Sequence, residues 1–202
     1  MELHEALRRR AMCRSFAADP VDAMVLDRIL SGALSCPTAG NSRGTSWVVL
    51  QGPAQTATYW EATTDEEWRA RNPGWFGGLV RAPIVLLAYA SAAAYIARYA
   101  APDKADRALA TGPESWPVPY WYGDAAFGVM TVLLEAVDAG LAACVLGNFR
   151  GERALAEALG VPEQWRLFCA VVLGRPDGAK RRPRSLDRPG PRAKDRVHRG
   201  GW

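Results

Sequence analysis

One segment, residues 120–139, limits the possible folds of this chain more than any other. From Ala125 to the end of the segment only Glu135 and Asp138 are charged, and a helix that is apolar nearly all round is buried on most sides. Asp124 precedes this stretch, where a carboxylate complements the dipole of a helix N-terminus. In a chain of 202 residues we therefore predict a central helix, covered by its own chain or pressed against a second subunit.

The other segments predict helices and strands in mixed order. Helical spacing of apolar residues predicts helices over residues 2–10, 23–34, 54–71, 91–99 and 152–159. Apolar runs predict strands over residues 47–50, 83–88, 141–146 and 167–173. This order indicates an α+β fold, with a mixed central sheet flanked by helices, in a single domain over residues 1–202. We predict a long loop over residues 100–118, because this range contains three prolines.

Positive charge is concentrated at the end of the chain. Residues 175–202 contain ten Lys or Arg and three Asp, although the net charge of the whole chain is only +4. A basic, extended tail on a mildly acidic body indicates a local anion site or a nucleic-acid arm. Because Trp202 is the tail's only aromatic residue, we expect no nucleic-acid binding.

The chain shows no export or membrane signal. Its apolar uncharged run over residues 82–97 is sixteen residues long, which is short of the roughly 20 that span a bilayer, and the first residues lack an apolar export segment. The four cysteines are widely spaced, at Cys13, Cys36, Cys144 and Cys169. We therefore expect free thiols, no metal site and a cytoplasmic location.

Three separated segments share a known pattern. The first is RAMCRSF at residues 10–16, the second ALSCPTAGNSR at residues 33–43, and the third DAGLAACVLGNF at residues 138–149, followed by LGVP at residues 159–162. In order and spacing they resemble the motifs of the nitroreductase-like superfamily of FMN-dependent oxidoreductases. Their residues look most similar to those of an actinobacterial-type subgroup. The resemblance extends over nearly the whole chain and is loosest between residues 54 and 118.

The resemblance implies a homodimer that holds FMN at the subunit interface and takes electrons from NADH or NADPH. In that family the position of Arg10 grips the FMN phosphate and the position of Arg14 lies along the ribityl chain and ring edge. The planar fork of arginine suits a phosphate. Taken alone, the two arginines are equally compatible with a solvated basic helix end. They share a helical face only if the first helix continues through them.

The other two segments carry further implied contacts. In the family the loop with Pro37, Thr38, Ala39 and Asn41 comes from the second subunit and reaches the flavin. Backbone donors around Gly140, Leu141 and Gly147 would lie near flavin N5 and O4. Without the resemblance, these segments are an ordinary helix end and a helix cap before a strand. In the tail, Arg188 and Arg192 are candidates for the family's late phosphate-binding residues, and an arm that wraps the partner subunit would look the same.

Three positions depart from the family pattern. Ala11 replaces a second basic residue, Met12 replaces a phosphate-binding serine, and Arg43 replaces a glutamine near the pyrimidine edge of the flavin. Met12 and Arg43 remain candidate cofactor contacts. At about 1 kcal/mol for each missing contact, FMN binding weakens by roughly one or two powers of ten.

The implied activity is hydride transfer from NAD(P)H through the flavin to a small organic acceptor, such as a nitroaromatic, a quinone or an activated alkene, by a ping-pong mechanism. Trp75, Trp116 and Trp121 border the variable loops and are candidates for a lid over a flat acceptor, although tryptophans more often pack in cores. Two alternatives stay open. One is a biosynthetic dehydrogenase or oxidase that uses the same flavin, and the other is a protein that binds or stores FMN without catalysis.

Overall fold

The computed structural model describes residues 1–104, 108–179, 187–188, 190 and 196–202. In chain order, its helices are α1 (Leu3–Arg9), α2 (Ala23–Leu34), α3 (Pro53–Thr63), α4 (Glu66–Arg71), α5 (Pro73–Leu79), α6 (Ala92–Tyr99), α7 (Tyr120–Asp138) and α8 (Glu152–Leu159). The strands are β1 (Thr45–Gln51), β2 (Ile84–Ala90), β3 (Ala142–Leu146) and β4 (Arg166–Gly174).

The strands form one sheet in the order β1-β2-β4-β3, and every neighbouring pair is antiparallel. Helices cover both of its faces, so the predicted α+β fold is confirmed. We predicted a mixed sheet, and among the described residues the parallel pairing is an isolated bridge between Met12 and Ala143. That bridge ties the segment after α1 to β3, next to the groove described below.

Alternation along β2 divides the core into two layers. Leu86 and Ala88 face α2 and α7, whereas Val85 and Leu87 face the opposite layer, which contains residues of α3 and α8. All seven residues of β2 are buried, as expected for a strand covered on both faces. The sheet therefore supports helices on both sides without an exposed face.

The prediction of a central helix is confirmed for α7. Val132 and Ala136 are fully buried against α2 and the sheet, and Ala125 is fully buried in a cluster with Trp116 and Trp121. One stripe remains uncovered, since Phe127 is 53% exposed and Tyr120 and Met130 are also exposed. The helix is thus apolar nearly all round, but a single chain covers only part of it.

One prediction about helices was wrong. Residues 54–71 are not one helix, because Asp65 caps a new one by accepting a hydrogen bond from the Trp68 amide at 2.6 Å. The condition under which Arg10 and Arg14 would share a helical face is not met, because α1 ends at Arg9 and the chain then runs extended to the bridge with β3. The two arginines therefore do not share a helical face.

The beginning of the tail is tied back to the segment that follows α1. Phe16 forms an antiparallel bridge with Pro176, and the Ala17 amide donates to the Arg175 carbonyl at 2.9 Å. Buried Ser15 donates to Asp177 at 2.7 Å. Residues 180–186, 189 and 191–195 lie outside the described residues, and with them most of the predicted arm. No helix among the described residues has the length and apolarity needed to cross a bilayer.

Candidate cofactor and acceptor site

A groove of about 340 Å³ lies between the segment after α1 and the start of β3. Arg9, Met12 and Arg14 line one side, and Gly140 and Leu141 line the other. The Cys13 amide donates to the Ala143 carbonyl at 3.0 Å and fixes the two walls in parallel register. Two of the segments singled out in the sequence therefore meet in one subunit.

Packing from α5 fixes the backbone of Arg14. A Cβ added to Gly78 would lie 2.1 Å from the Arg14 carbonyl oxygen, so only glycine permits this approach. The half-buried Arg14 side chain donates from Nη1 to the Met12 carbonyl at 3.2 Å. Arg10 is half-buried at the end of α1, and the second arginine that lines the groove is Arg9.

Arg14 also borders a second opening, a cleft of about 400 Å³ that we call the aromatic cleft. Its lining includes Trp60, Trp68 and Trp75 on one side and the segment around Gly147 on the other. The rings of Trp68 and Trp75 meet edge to face with centroids 5.3 Å apart. Burial raises the pKa of the neighbouring Cys144 thiol to about 11, which keeps it neutral at physiological pH. The cleft therefore combines aromatic walls with a cationic edge.

The loop that follows α2 has an unusual backbone. Gly40, Asn41 and Arg43 all have positive φ, at 64°, 57° and 52°, which is uncommon for residues with side chains. The Arg43 amide donates to Thr38 Oγ1 at 3.0 Å, and Arg43 Nε donates to Asn41 Oδ1 at 3.2 Å. The predicted cofactor loop is thus held in a specific strained shape.

Three residues that the sequence analysis did not assign to the site hold this loop. Asp124, only 6% exposed, accepts from the Ala39 amide at 2.7 Å and from the Tyr95 hydroxyl at 2.6 Å. Arg98 Nε donates to the Gly40 carbonyl at 2.9 Å. Burial, followed by the hydrogen bond to Asp124, raises the pKa of Tyr95. Asp124 could have been noticed as a carboxylate at the start of an otherwise apolar helix.

The loop does not share an opening with Arg14. Thr38, Asn41 and Arg43 border a separate hollow of about 430 Å³ beside Asp124, Ala39 is half-buried, and Pro37 is exposed. The predicted cofactor residues therefore form two groups within one chain. Gly147 joins Arg14 in the aromatic cleft, whereas the loop faces elsewhere.

The three tryptophans that were candidates for a lid lie in two different regions of the structure. Trp75 lines the aromatic cleft. Trp116 and Trp121 are each 7% exposed and pack edge to face with Tyr95 in a core cluster. The Trp116 Nε1 donates to the Leu109 carbonyl at 2.8 Å. The packing of Trp116 and Trp121 thus corrects the hypothesis of a lid for these two residues, because buried rings of the core do not cover an opening.

Among the described residues of the tail, Pro176 and Ala179 line the groove. Arg188 is exposed, and Arg192 lies outside the described residues. Within the groove, Gly140 has φ 70° and a Cβ added there would meet nothing within 4 Å. The groove therefore offers two guanidinium groups at one side and open space beside a glycine at the other. This donor set fits a phosphorylated, flat cofactor.

Comparisons with known proteins show the family of this chain. A family model described as the Nitroreductase family matches residues 7–175. A curated protein of Archaeoglobus fulgidus, described as an NADH dehydrogenase/NAD(P)H nitroreductase, is 29% identical over 180 residues, which cover 88% of this chain and 85% of the relative.

Solved structures share the fold. The nitroreductase CinD from Lactococcus lactis, in complex with chloramphenicol, superimposes with a TM-score of 0.72 at 21% identity and covers 93% of this chain and 97% of its own. A nitroreductase-like protein from Desulfovibrio desulfuricans, in complex with FMN, has a TM-score of 0.63 at 19% identity, with coverage of 95% and 99%. The chain belongs to the nitroreductase family, whose members are FMN-dependent oxidoreductases that take electrons from NAD(P)H.

Proposed function

We propose that this enzyme reduces small organic acceptors, such as nitroaromatics, quinones or activated alkenes, by a ping-pong mechanism. The observation that carries the proposal is the position of Arg14, which borders both the groove and the aromatic cleft. A cofactor held in the groove would then adjoin a second opening large enough for another flat molecule. When bound, FMN supplies the redox chemistry by accepting a hydride and passing the electrons on.

The residues of the groove would bind and orient the cofactor. Arg14 would supply positive charge for its phosphate and polar edge, and so would Arg9 once it exchanges its exposed ion pair with Glu5, at 3.2 Å, for the cofactor, with Arg10 beside them in sequence. Met12 gives the wall an apolar surface where a hydroxyl is usual in the family. Backbone amides around Gly140 in the groove, and around Gly147 at the edge shared with the aromatic cleft, would donate to the polar edge of the ring.

We propose a homodimer in which the partner's copy of the Thr38–Ser42 loop completes the site. Support comes from the separation of that loop from Arg14 within one chain. It also comes from the uncovered stripe of α7, where Tyr120, Phe127 and Met130 are exposed, and from Leu34 at the end of α2, which is 62% exposed. Exposed apolar patches of this kind mark interfaces. A cytoplasmic location stays a prediction.

The test of the activity begins with the absorbance of the purified protein. We expect flavin bands, uptake of added FMN by flavin-depleted protein, and NADH or NADPH oxidation under argon when a quinone is added. A yellow protein without such turnover would favour the alternative of a dehydrogenase or oxidase. A protein that takes up no FMN would refute the proposal.

A variant pair tests the placement of the cofactor. Arg14→Ala should weaken FMN binding by about ten- to a hundredfold, because it removes a charge-assisted contact. Arg153→Ala, on the surface of α8 with a side chain 94% exposed, is the matched control and should bind FMN as the unmodified protein does. Equal FMN affinity in both variants would contradict the assignment of the groove.

The dimer has its own test. Phe127→Glu places a charge in the uncovered stripe of α7 and should shift the sedimentation coefficient from dimer to monomer. Glu163→Lys, at an exposed position between α8 and β4, is the control and should leave the mass unchanged. A monomeric unmodified protein that still binds FMN tightly would show that the loop is not needed from a partner.

A further inference from the structure

We propose that Asp177, at the beginning of the tail, is a positioning residue for the cofactor, because it holds in place the segment that carries Arg14 to the groove. FMN affinity then depends on a carboxylate whose charge has the wrong sign for binding a phosphate. The inference rests on the proposed function, since it takes the groove beside Arg14 as the cofactor site. Pro176 and Ala179, on either side of Asp177 in the sequence, line that groove.

The carboxylate of Asp177 joins three parts of the chain. Its Oδ2 accepts hydrogen bonds from Ser15 Oγ at 2.7 Å and from Arg81 Nη2, and its Oδ1 accepts from the Ala179 amide at 2.9 Å. Ser15 belongs to the segment after α1, Arg81 lies between α5 and β2, and Ala179 belongs to the tail. The side chain of Asp177 is only 18% exposed. One carboxylate therefore fixes the tail against two other segments.

The contacts of Ser15 carry this constraint to Arg14. Ser15 is 1% exposed, and its carbonyl accepts from the Asp177 amide at 3.3 Å and from Cys13 Sγ at 3.1 Å. The Cys13 amide in turn donates to the Ala143 carbonyl of β3 at 3.0 Å. Arg14 therefore lies between two residues that are held in place, one by Asp177 and the other by β3.

The backbone, rather than a carboxylate partner, places the guanidinium of Arg14. Arg14 makes no ion pair in the described part of the chain, and its Nη1 donates to the Met12 carbonyl at 3.2 Å. Contacts between a guanidinium and a phosphate depend strongly on geometry. A displacement of the backbone at Ser15 would therefore move the charge of Arg14 away from its place in the groove.

The charge of Asp177 alone predicts the opposite effect on FMN. Burial raises the pKa of the Cys13 thiol, which lines the groove, and the Asp177 carboxylate raises it further. The negative charge of Asp177 thus reaches the groove, although the ion pair with Arg81 offsets part of it. Removal of a nearby negative charge tightens the binding of a phosphate. Because a positioning role requires weaker binding instead, the sign of the change distinguishes the two effects.

The experiment titrates FMN into flavin-free protein and follows flavin fluorescence. We expect Asp177→Ala to weaken FMN binding by about tenfold, because a displaced guanidinium loses about one hydrogen bond to the cofactor. Asp177→Asn keeps an acceptor for Ser15 and should recover part of the affinity. Asp19→Ala, the matched control, removes the same charge from an exposed position and should bind FMN as the unmodified protein does. Unchanged or tighter binding in Asp177→Ala would overturn the inference.

A second variant covers the case in which Asp177→Ala fails to fold. Ser15→Ala removes the other end of the same hydrogen bond and leaves the charge of Asp177 in place. It should weaken FMN binding by about three- to tenfold. Circular dichroism checks that each variant is folded, and a loss of stability alone would not change the affinity of the folded molecules. Full FMN affinity in folded Ser15→Ala would contradict the role of this hydrogen bond.

A double-mutant cycle tests whether Asp177 acts through Arg14. In the Arg14→Ala background, Asp177→Ala should weaken FMN binding by less than about twofold, because the group that it positions is absent. A further tenfold loss in that background would show that Asp177 acts elsewhere, and the inference would be wrong. If Arg14→Ala itself binds FMN as the unmodified protein does, the groove is not the cofactor site, and the inference fails together with that part of the proposed function.

The hold of Asp177 on the segment can also be measured without the cofactor. The Ala17 amide donates to the Arg175 carbonyl at 2.9 Å. Hydrogen exchange of the Ala17 and Cys13 amides should be faster in flavin-free Asp177→Ala than in Asp19→Ala. Equal exchange in the two variants would overturn the inference and leave the proposed function intact. Faster exchange with full FMN affinity would show that the contact is structural only, which also contradicts the inference.

Discussion

The hydrogen bonds of Asp124 make the sharpest prediction about what holds the Thr38–Ser42 loop. The carboxylate is 6% exposed, and its Oδ2 accepts from both the Ala39 amide and the Tyr95 hydroxyl. No Lys or Arg forms an ion pair with it within the described residues. Asp124→Ala therefore leaves two buried donors unpaired, whereas Asp124→Asn keeps an acceptor oxygen and loses only the charge.

The magnitudes follow from those contacts. An unpaired buried donor costs about 1–3 kcal/mol, so Asp124→Ala should lower the free energy of unfolding by about 2–6 kcal/mol. Asp124→Asn should cost about 1–2 kcal/mol, because hydrogen bonds to a charged acceptor are about twice as strong as neutral ones and the desolvation of the charge offsets part of the loss.

The assay is urea unfolding of flavin-free protein, arranged as a double-mutant cycle between Asp124→Asn and Tyr95→Phe. We expect a coupling free energy of about 1 kcal/mol. The control pairs Asp124→Asn with Tyr59→Phe, whose hydroxyl bonds to Asn148 in the other core layer, and should be additive. Hydrogen exchange of the Ala39 amide should also accelerate in Asp124→Asn. Additivity in the first cycle, with unchanged exchange at Ala39, would refute this account of the loop.

Three further predictions concern the framework of the site. Gly78→Ala should destabilise the protein by at least 2 kcal/mol in thermal unfolding, since its Cβ would meet the Arg14 carbonyl, whereas Gly77→Ala in the same helix meets nothing and should be neutral or stabilising; equal effects would contradict the packing. The hydrogen bond from Ser15 holds the pKa of Asp177 below its ordinary value, so stability from this contact is present above about pH 4 and is lost as the pH falls through the lowered pKa. The difference in free energy of unfolding between Asp177→Asn and the unmodified protein should therefore shrink in acid. A difference that does not change with pH would argue against the contacts of the Asp177 carboxylate with Ser15 and Arg81. Burial raises the pKa of the Cys144 thiol to about 11 and of the Cys169 thiol to about 12, so both should resist a thiol reagent at pH 8 until urea unfolds the chain; rapid labelling of the native protein would show that they are accessible.

Local sequence determined the regular elements well. Helix α2 and helix α8 begin and end where the spacing of apolar residues predicts, and the apolar runs at β2 and β4 are strands extended by a residue or two. Their periodicity is a property of neighbouring residues and can be read without knowing the fold. The helical prediction over residues 54–71 was wrong because Asp65 offers the backbone a competing hydrogen bond, which ends one helix and begins the next.

The three motif segments were found in the sequence, but their relation in space was not. Residues 10–14 meet Gly140 because of the bridge between Met12 and Ala143, which joins positions more than a hundred residues apart. The choice of Arg9 beside Arg14 in the groove depends on where α1 ends and on the direction the chain then takes. No pattern of neighbouring residues encodes that direction.

The sequence by itself indicated the family and the helical nature of α7, because both depend on residue type and short-range spacing. The residues for the flavin phosphate were implied by the resemblance and stay a prediction. Only the tertiary structure decided that Trp116 and Trp121 belong to the core, that Asp124 holds the loop, and that Arg14 borders two openings. Burial and hydrogen-bond partners are set by contacts between distant segments, and these exist only once the sheet has brought both faces of the protein together.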